Sequence, residues 1–431
     1  MTAETSTAPD TPAPAGRAAR LLGLPAVRGH GRFITGNLVD SVGSGMLLPL
    51  GLLYFTTVRG LSAPAVGAAV TVGQLAALPA VLVTGRLMDR RGPRLPTVVA
   101  NMVTAAGFLV FLLAHRPWQI ACAYVLVQSG VNGYYTAQRT LVTRATPAGE
   151  LRAWFAFTAS LRNIGIGAGA ALAAGALALY GTTALTGLLL TAAPLYVLAA
   201  ACFARVPLTA PHDKEQPPGN DDGPRAGPEP VADGTRRYLL LVACALPFVL
   251  SQTMPAVLFA LYATDVLHLA AWTASLLLIL NTVLVSTLTT PLTAHVTPAQ
   301  PRHALLLGYG VLVIAMLAFA APVLSDTAVP AWPALLSATV LFTLAEIFCS
   351  PALNELSVSL TPDAARGRRQ SLYQLAWSAG NITAPVLFTC LLSVGGVVPW
   401  AFQGLACLLA LPALLTLRPA PANPDESATR P

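Results

Sequence analysis

Residues 85–94 read Gly-Arg-Leu-Met-Asp-Arg-Arg-Gly-Pro-Arg, and this stretch, called here the 85–94 motif, decides the fold. No charged residue occurs in residues 61–85 before it or in residues 95–114 after it. Each flank has about the 20 residues with which an α-helix crosses the hydrocarbon core of a bilayer. Because strongly basic loops stay on the cytoplasmic side, we predict that the motif is a tight cytoplasmic loop between two membrane helices.

The composition argues against a water-soluble globule. Of the 431 residues, 55% are hydrophobic and only 10% are charged, whereas soluble domains carry about 25% charged residues. Lipid is therefore the predicted solvent of the chain. The net charge of +7 comes almost entirely from arginines at predicted helix ends. Since no basic run is interleaved with aromatic residues, no nucleic-acid partner is predicted.

Apolar runs bounded by charges, Pro or Gly predict twelve helices, six on each side of one long polar segment. That segment, 206–236, includes Pro-Pro-Gly-Asn-Asp-Asp-Gly-Pro and has too few apolar residues to order itself, so it is predicted to be a flexible linker. The predicted organisation is a cytoplasmic N-terminal tail at 1–31, a six-helix half at 32–205, the cytoplasmic linker at 206–236, a second six-helix half at 237–418 and a C-terminal tail at 419–431.

The basic residues predict the orientation of these helices. With both termini in the cytoplasm, 22 of the 25 Lys and Arg residues fall in cytoplasmic segments or helix ends. Arg59 and Arg116 fall outside, and Arg162 falls within the membrane. This asymmetry predicts a multi-pass protein with both termini inside. The high Arg and low Lys content favours a bacterial protein, hence the bacterial cytoplasmic (inner) membrane.

The spacing Gly-x-Leu-x-Asp-Arg-x-Gly-x-Arg between two membrane helices resembles the signature loop between helices 2 and 3 of the major facilitator superfamily. The resemblance implies an all-α membrane protein of twelve transmembrane helices in two six-helix halves, similar to drug:proton antiporters. It also implies that Asp89 caps the N-terminus of helix 11 and keeps the cytoplasmic side closed. The matching motif residues are Gly85, Asp89, Arg90, Gly92 and Arg94. The alternative is a loop whose arginines only fix the orientation.

Three charged residues are predicted close to the membrane midplane: Asp40 in helix 1, Arg162 in helix 5 and Glu346 in helix 10. Isolated charges at that depth are costly, so they pair with one another or line water. Asp40 has Arg162 as a candidate partner, and their pairing could simply lock helices 1 and 5 together. Glu346 has no obvious basic partner in the second half, which favours a proton-carrying role.

Polar side chains recur at helical spacing near these charges, and three of the helices that carry them are among the four that line the substrate path in the family. We predict that they form a substrate cavity. The predicted cavity residues are Asn37, Ser44, Gln128, Asn132, Tyr135, Gln252, Ser350 and Asn381.

The predicted function is secondary active transport, with proton-coupled efflux of a small amphipathic molecule, such as a drug or secondary metabolite, by alternating access. One alternative is proton-coupled uptake of a metabolite, sugar or peptide, and another is a non-transporting membrane sensor or scaffold. The sequence has neither a catalytic cluster nor an ATPase signature, so we predict no enzyme activity, no cofactor and no metal. The predicted partners are a small-molecule substrate, protons and membrane lipid, with the chain acting as a monomer.

Overall fold

The regular structure in the described part of the chain is helical. The computed structural model describes residues 22–208, 231–270, 272–298, 300–324, 331–361 and 365–417. Most of the predicted N-terminal tail, linker and C-terminal tail therefore lies outside the described residues. The helix that follows the undescribed linker residues nevertheless begins at Val231, within the predicted linker.

Twelve long helices follow one another, and we number them α1–α12. The first six are Gly31–Leu53, Ala63–Arg91, Arg94–Leu113, Pro117–Ala145, Leu151–Tyr180 and Ala184–Ala204. The second six are Val231–Leu261, Trp272–His295, Pro301–Leu324, Ala331–Ser359, Arg366–Val394 and Val398–Thr416. Helix α2 is interrupted at Ala77, where one α-helical segment ends and the next begins. Helices α1 and α7, the first of each half, both continue into five-residue π-helical segments, Tyr54–Val58 and Tyr262–Val266.

Each half has its own apolar core. In the second half, Phe319 and Trp400 stack with ring centroids 4.5 Å apart, while in the first half Phe108 stacks on Tyr196 at 5.4 Å. Many large apolar side chains instead cover the outside of the bundle, among them Val83, Leu172, Ile279, Leu317, Val386 and Leu409. Water would not favour so much exposed apolar surface, whereas lipid tails would.

Nine helical stretches in the described residues are long and apolar enough to cross a membrane, and one of them, Leu151–Ala204, contains both α5 and α6. Helices α1 and α4 are not among them. These are two of the helices for which the sequence predicts polar faces.

The 85–94 motif is mostly helix rather than loop. Helix α2 continues through Arg91, because its residues are good helix formers and the two terminal arginines favour the negative end of the helix dipole. Gly92 then takes a φ of +72°, which suits glycine far better than other residues, and ends the helix. Only Gly92 and Pro93 separate α2 from α3. We call the end of the bundle that carries this connection the charged end, and the opposite end the far end.

Candidate functional site

A cavity of about 330 Å³ lies between the two halves, and its lining extends from about the middle of the long helices toward the charged end. Side chains from α4 and α5 line it on one side, and side chains from α7, α10 and α11 line it on the other. Most of these side chains carry an amide, a hydroxyl or a charge. The lining residues are Tyr135, Gln138, Arg139, Phe155, Thr158, Ala159, Arg162, Asn163, Ile166, Gln252, Glu346, Ser350, Asn354, Gln374, Trp377 and Asn381.

Glu346 is held in the cavity wall by two neutral amides. Gln252 of α7 donates from Nε2 to Oε1 of Glu346 at 3.0 Å, and Asn281 of α8 donates from Nδ2 to Oε2 at 3.2 Å. The same Asn281 amide also lies 3.0 Å from Oγ1 of Thr343, one turn before Glu346. Both carboxyl oxygens are therefore positioned by side chains of neighbouring helices. Gln252 is among the predicted cavity residues, whereas Asn281 is not.

Arg162 enters the same cavity from α5. Its guanidinium lies over the ring of Tyr135, 4.3 Å from the ring centroid. Its positive charge acts on both Glu346 and Asp40, but within the described residues it forms no ion pair with either carboxylate inside 4.0 Å. The cation–π contact therefore supports the guanidinium while leaving it exposed to the cavity.

Asp40 lies behind the cavity rather than in its lining. The residue is only 4% exposed, and no hydrogen bond to its carboxyl is found within the described part of the chain. Arg162 attracts it electrostatically without direct contact. The predicted link between Asp40 and Arg162 is thus an electrostatic attraction without an ion pair inside 4.0 Å.

The structure places the predicted cavity residues in two groups. Tyr135, Gln252, Ser350 and Asn381 line the cavity, as do Arg162 and Glu346. The other predicted side chains are not part of that lining. They are Asn37, Ser44, Gln128 and Asn132.

Three of those four make hydrogen bonds between helices. The side chain of Asn37 accepts from the Tyr134 hydroxyl at 2.8 Å, and Ser44 pairs with the Tyr196 hydroxyl at 3.0 Å. Asn132 accepts from the hydroxyl of Ser378 across the two halves at 3.1 Å. Helical spacing predicts that a face is polar, but it does not distinguish a cavity from a polar helix contact.

Arg139 forms the floor of the cavity toward the charged end. It donates to Oδ1 of Asn354 at 3.0 Å and to Oε1 of Gln374 at 3.2 Å, and its guanidinium lies 4.6 Å from the ring centroid of Tyr373. By sequence, Arg139 is both one of the basic residues at the cytoplasmic ends and a member of the polar face of helix 4, four residues after Tyr135. The structure agrees with the second position, because Arg139 is only 9% exposed.

The 85–94 motif closes the charged end against α11. Oδ1 of Asp89 accepts a hydrogen bond from the backbone N–H of Gly367 at 2.6 Å, one residue after the start of α11. Gly85 and Gly367 meet so closely that a methyl group on Gly367 would overlap the carbonyl oxygen of Gly85. One turn further on, Ser371 donates to the carbonyl of Val81 at 2.8 Å. We call this set the α2–α11 closure.

The remaining motif residues serve the connection itself. Gly92 supplies the positive φ, and Arg94 donates to the carbonyl oxygen of Val206 at 2.6 Å, which ties α3 to the end of α6. Arg90 is exposed at the charged end.

A second contact between the halves lies at the same end. Arg152 of α5 forms an ion pair with Glu355 of α10 at 2.5 Å and donates to the carbonyl of Pro298, after α8, at 2.6 Å. Ser160 and Thr290 join α5 to α8 through their hydroxyls at 3.1 Å. We call this set the Arg152 closure. This closure was not predicted, because nothing in the local sequence marks Arg152 and Glu355 as partners.

The described residues contain no group of three or more His, Cys, Asp or Glu side chains that could hold a metal ion.

Comparisons with known proteins agree with this architecture. The family model of the Major Facilitator Superfamily matches residues 33–356 and 302–431. No curated protein matches the chain significantly. Solved structures do: the human organic anion transporter MFSD10 (TETRAN) shares 15% identity at a TM-score of 0.68, with 90% of this chain and 99% of that chain covered.

Two further solved structures were determined in outward conformations. A bacterial homologue of the iron transporter ferroportin, in an outward-facing state, shares 16% identity at a TM-score of 0.69 and covers 90% and 99% of the two chains. The transporter FucP, in the outward conformation, shares 13% identity at a TM-score of 0.69 and covers 91% and 99%. At such identities the likeness concerns the fold, while the family match extends over most of the sequence. The chain belongs to the Major Facilitator Superfamily and is a multi-pass membrane transporter of small molecules, not an enzyme.

Proposed function

We propose that the protein is a proton-coupled secondary transporter that exports a small molecule by alternating access, with Glu346 as the proton carrier. The observation that carries the proposal is the placement of Glu346. It is the one carboxyl among the residues that line the cavity, and it faces the arginine of the opposite half.

The surroundings of Glu346 suit a group that gains and loses a proton. Gln252 and Asn281 are neutral amides, and each can present either N–H or C=O to the carboxyl after a flip of its side chain. Both protonation states can therefore be hydrogen-bonded. The other titratable or charged groups nearby are Arg162, Arg139 in the cavity floor and Cys349 on α10, with Asp40 beyond Arg162.

Alternating access requires that one end of the cavity be closed while the other opens. The α2–α11 closure and the Arg152–Glu355 ion pair lie on the charged-end side of the cavity, and Arg139 lines that side of it. The Lys and Arg distribution supports a cytoplasmic location for that end. On this basis the protein resides in a bacterial inner membrane with both termini inside, and the closed cytoplasmic side corresponds to an outward-directed state.

Export is supported by the small number of available cations. Sites that take up charged nutrients typically present several Arg or Lys side chains. Here Arg139 is already engaged by Asn354, Gln374 and the Tyr373 ring. Among the lining residues, Arg162 is therefore the one cation that remains exposed to a ligand.

The test is transport in proteoliposomes under an imposed pH difference. The probes are phenylalanine, tryptophan and a dipeptide, each tested beside its amine-only, carboxylate-only and neutral analogues, with fluxes followed by mass spectrometry. In the wild type we expect proton-driven movement of at least one probe against its gradient. In Glu346→Gln we expect loss of that accumulation, while downhill exchange of the same probe persists.

Asp265→Asn is the matched control, since Asp265 is an exposed carboxylate near the far end of the bundle. It should transport as the wild type does. Accumulation by Glu346→Gln, or a wild type in which no probe responds to the pH difference, would contradict the proposal. Symport, in which the probe and the proton move in the same direction, would mean that the protein takes its substrate up rather than exporting it.

A further inference from the structure

The cavity holds one positive and one negative side chain that do not neutralise each other. Arg162 belongs to the first half and Glu346 to the second, and no ion pair joins them within 4.0 Å. Arg162 rests on the ring of Tyr135, and the oxygens of Glu346 are met by two neutral amides. Each charge thus has polar support but lacks a counter-charge in contact with it.

Apart from Arg162 and Glu346, no lining residue presents a charged side chain that is available to a ligand. Arg139 is engaged by two side-chain oxygens and an aromatic ring, and Asp40 is not part of the lining. The remaining lining side chains include amides and hydroxyls, which suit hydrogen bonds, while Phe155 and Trp377 add aromatic surface. A complementary ligand would therefore carry one anionic group, one cationic group and a compact body that combines polar and apolar parts.

We propose that the transported molecule is a small zwitterion, whose anionic group binds Arg162 and whose ammonium group binds Glu346. The proposal rests on the function proposed above and specifies its substrate class. Such a molecule completes an ion pair in each half and so bridges α5 and α10. It also adds no net charge to a cavity that is buried in the membrane, where unpaired charge is costly.

The same placement links the ligand to the proton. An ammonium group and a proton compete for the Glu346 carboxylate, so arrival of the ligand favours release of the proton, as exchange of the two requires. The cavity volume of about 330 Å³ lies near the small end of the range for small-molecule sites, about 300–1,000 Å³. The expected size is therefore that of an amino acid or a short peptide rather than a large drug.

The experiment measures thermal stabilisation of the purified full-length protein by the same probe panel. Ligands that bind only the folded state stabilise it by RT ln(1 + L/Kd), where L is the free ligand concentration, so at a fixed ligand concentration the melting temperature rises with the logarithm of the affinity. We expect the zwitterionic members to stabilise the wild type, and their amine-only, carboxylate-only and neutral analogues to bind at least ~10-fold more weakly, since each lacks an ion pair.

The variants locate the two charges. Arg162→Gln and Glu346→Gln should each weaken zwitterion binding at least ~10-fold, and Arg162→Lys, which keeps the charge, should retain more affinity than Arg162→Gln. Arg205→Gln and Asp265→Asn are the controls, since both side chains are exposed outside the cavity. The wild-type panel tests the proposal even if a cavity variant fails to fold.

Three results would overturn the proposal: a singly charged or neutral analogue that binds as tightly as its zwitterion, zwitterion binding that survives both Gln variants, or a panel without any stabilising zwitterion. These three results can be distinguished from results that contradict proton-coupled export. Zwitterion binding without a pH-driven flux would refute proton-coupled export alone. A pH-driven flux confined to singly charged compounds would refute the substrate class alone.

Discussion

The two closures at the charged end join the same halves by different chemistry. In the α2–α11 closure the backbones themselves touch, because Gly85 and Gly367 leave no room for side chains, and a carboxylate accepts from the first turn of α11. In the Arg152 closure, long side chains span the gap between helices. One closure is thus a steric fit and the other a set of polar contacts.

The difference predicts how each closure tolerates change. A direct backbone contact tolerates no added atoms, since helices at this separation cannot accept a methyl group without moving apart. Side-chain contacts are adjustable, and the Arg152–Glu355 pair is partly exposed, with 15% and 21% of the two side chains accessible. Within the first half, the N–H of Ala26 donates to the Glu150 carboxylate at 3.0 Å, next to the start of the helix that carries Arg152.

The largest effect is expected from Gly367→Ala. Its methyl group would overlap the Gly85 carbonyl and approach the Asp89 carboxylate. Overpacking of this kind costs about 1–3 kcal/mol, which is enough to shift a conformational equilibrium roughly 5–150-fold. Hydrogen–deuterium exchange should show faster exchange of residues 366–371 and 81–91, and pH-driven transport should fall by a similar factor.

Gly175→Ala is the control for this prediction. Gly175 lies in α5, where an added Cβ would meet no atom within 4 Å. It should leave both exchange and transport unchanged. Unaltered exchange in Gly367→Ala would mean that the α2–α11 closure accommodates a side chain, and the steric distinction between the two closures would be wrong.

The two closures also differ in how far the sequence predicts them. Asp89 and Gly85 stand in a short motif that resembles the family's signature loop, and that resemblance implied the contact of Asp89 with the start of helix 11. Arg152 and Glu355 are 203 residues apart in the chain, and their pairing depends on how α5, α8 and α10 pack. That packing is a tertiary property, and local periodicity carries no information about it.

The same limit applies to the cavity. The intramembrane positions of Glu346 and Arg162 follow from helix length and hydropathy, and both residues line the cavity. The sequence could not predict that Asn37 and Asn132 would bind other helices, because a polar helix face looks the same in either case. Nor could it predict that Asn281 would orient Glu346, since that contact requires α8 to pack beside α10.

A smaller effect is expected from Asp89→Asn. The amide oxygen can still accept from the Gly367 N–H, but the favourable charge at the helix N-terminus is lost, which costs about 0.3–1 kcal/mol at an exposed site. Asp89→Ala also removes the hydrogen bond, which contributes about 0.5–1.5 kcal/mol more.

Hydrogen–deuterium exchange of the Gly367 amide should therefore become faster from the wild type to Asp89→Asn to Asp89→Ala. Transport should fall in the same order, while expression stays normal. Equal exchange in all three proteins would reduce the 85–94 motif to an element that only fixes orientation.

The smallest effect is expected from Glu355→Gln in the Arg152 closure. The variant keeps an acceptor for Arg152 but removes the negative charge, and partly exposed ion pairs contribute about 0.2–1 kcal/mol. Arg152 retains the carbonyl of Pro298, so the closure should persist. The charge contribution should weaken in the wild type at high salt without vanishing, because the screening length falls from about 10 Å at 0.1 M to about 3 Å at 1 M while the paired atoms are in contact and partly buried. We therefore expect exchange of residues 352–358 to be faster in Glu355→Gln than in the wild type at 0.1 M KCl, with a smaller difference at 1 M. Ser337→Ala, at an exposed position on the same helix, should show neither effect. A loss of protection in Glu355→Gln as large as that in Gly367→Ala would show that the side-chain closure is as strict as the backbone closure.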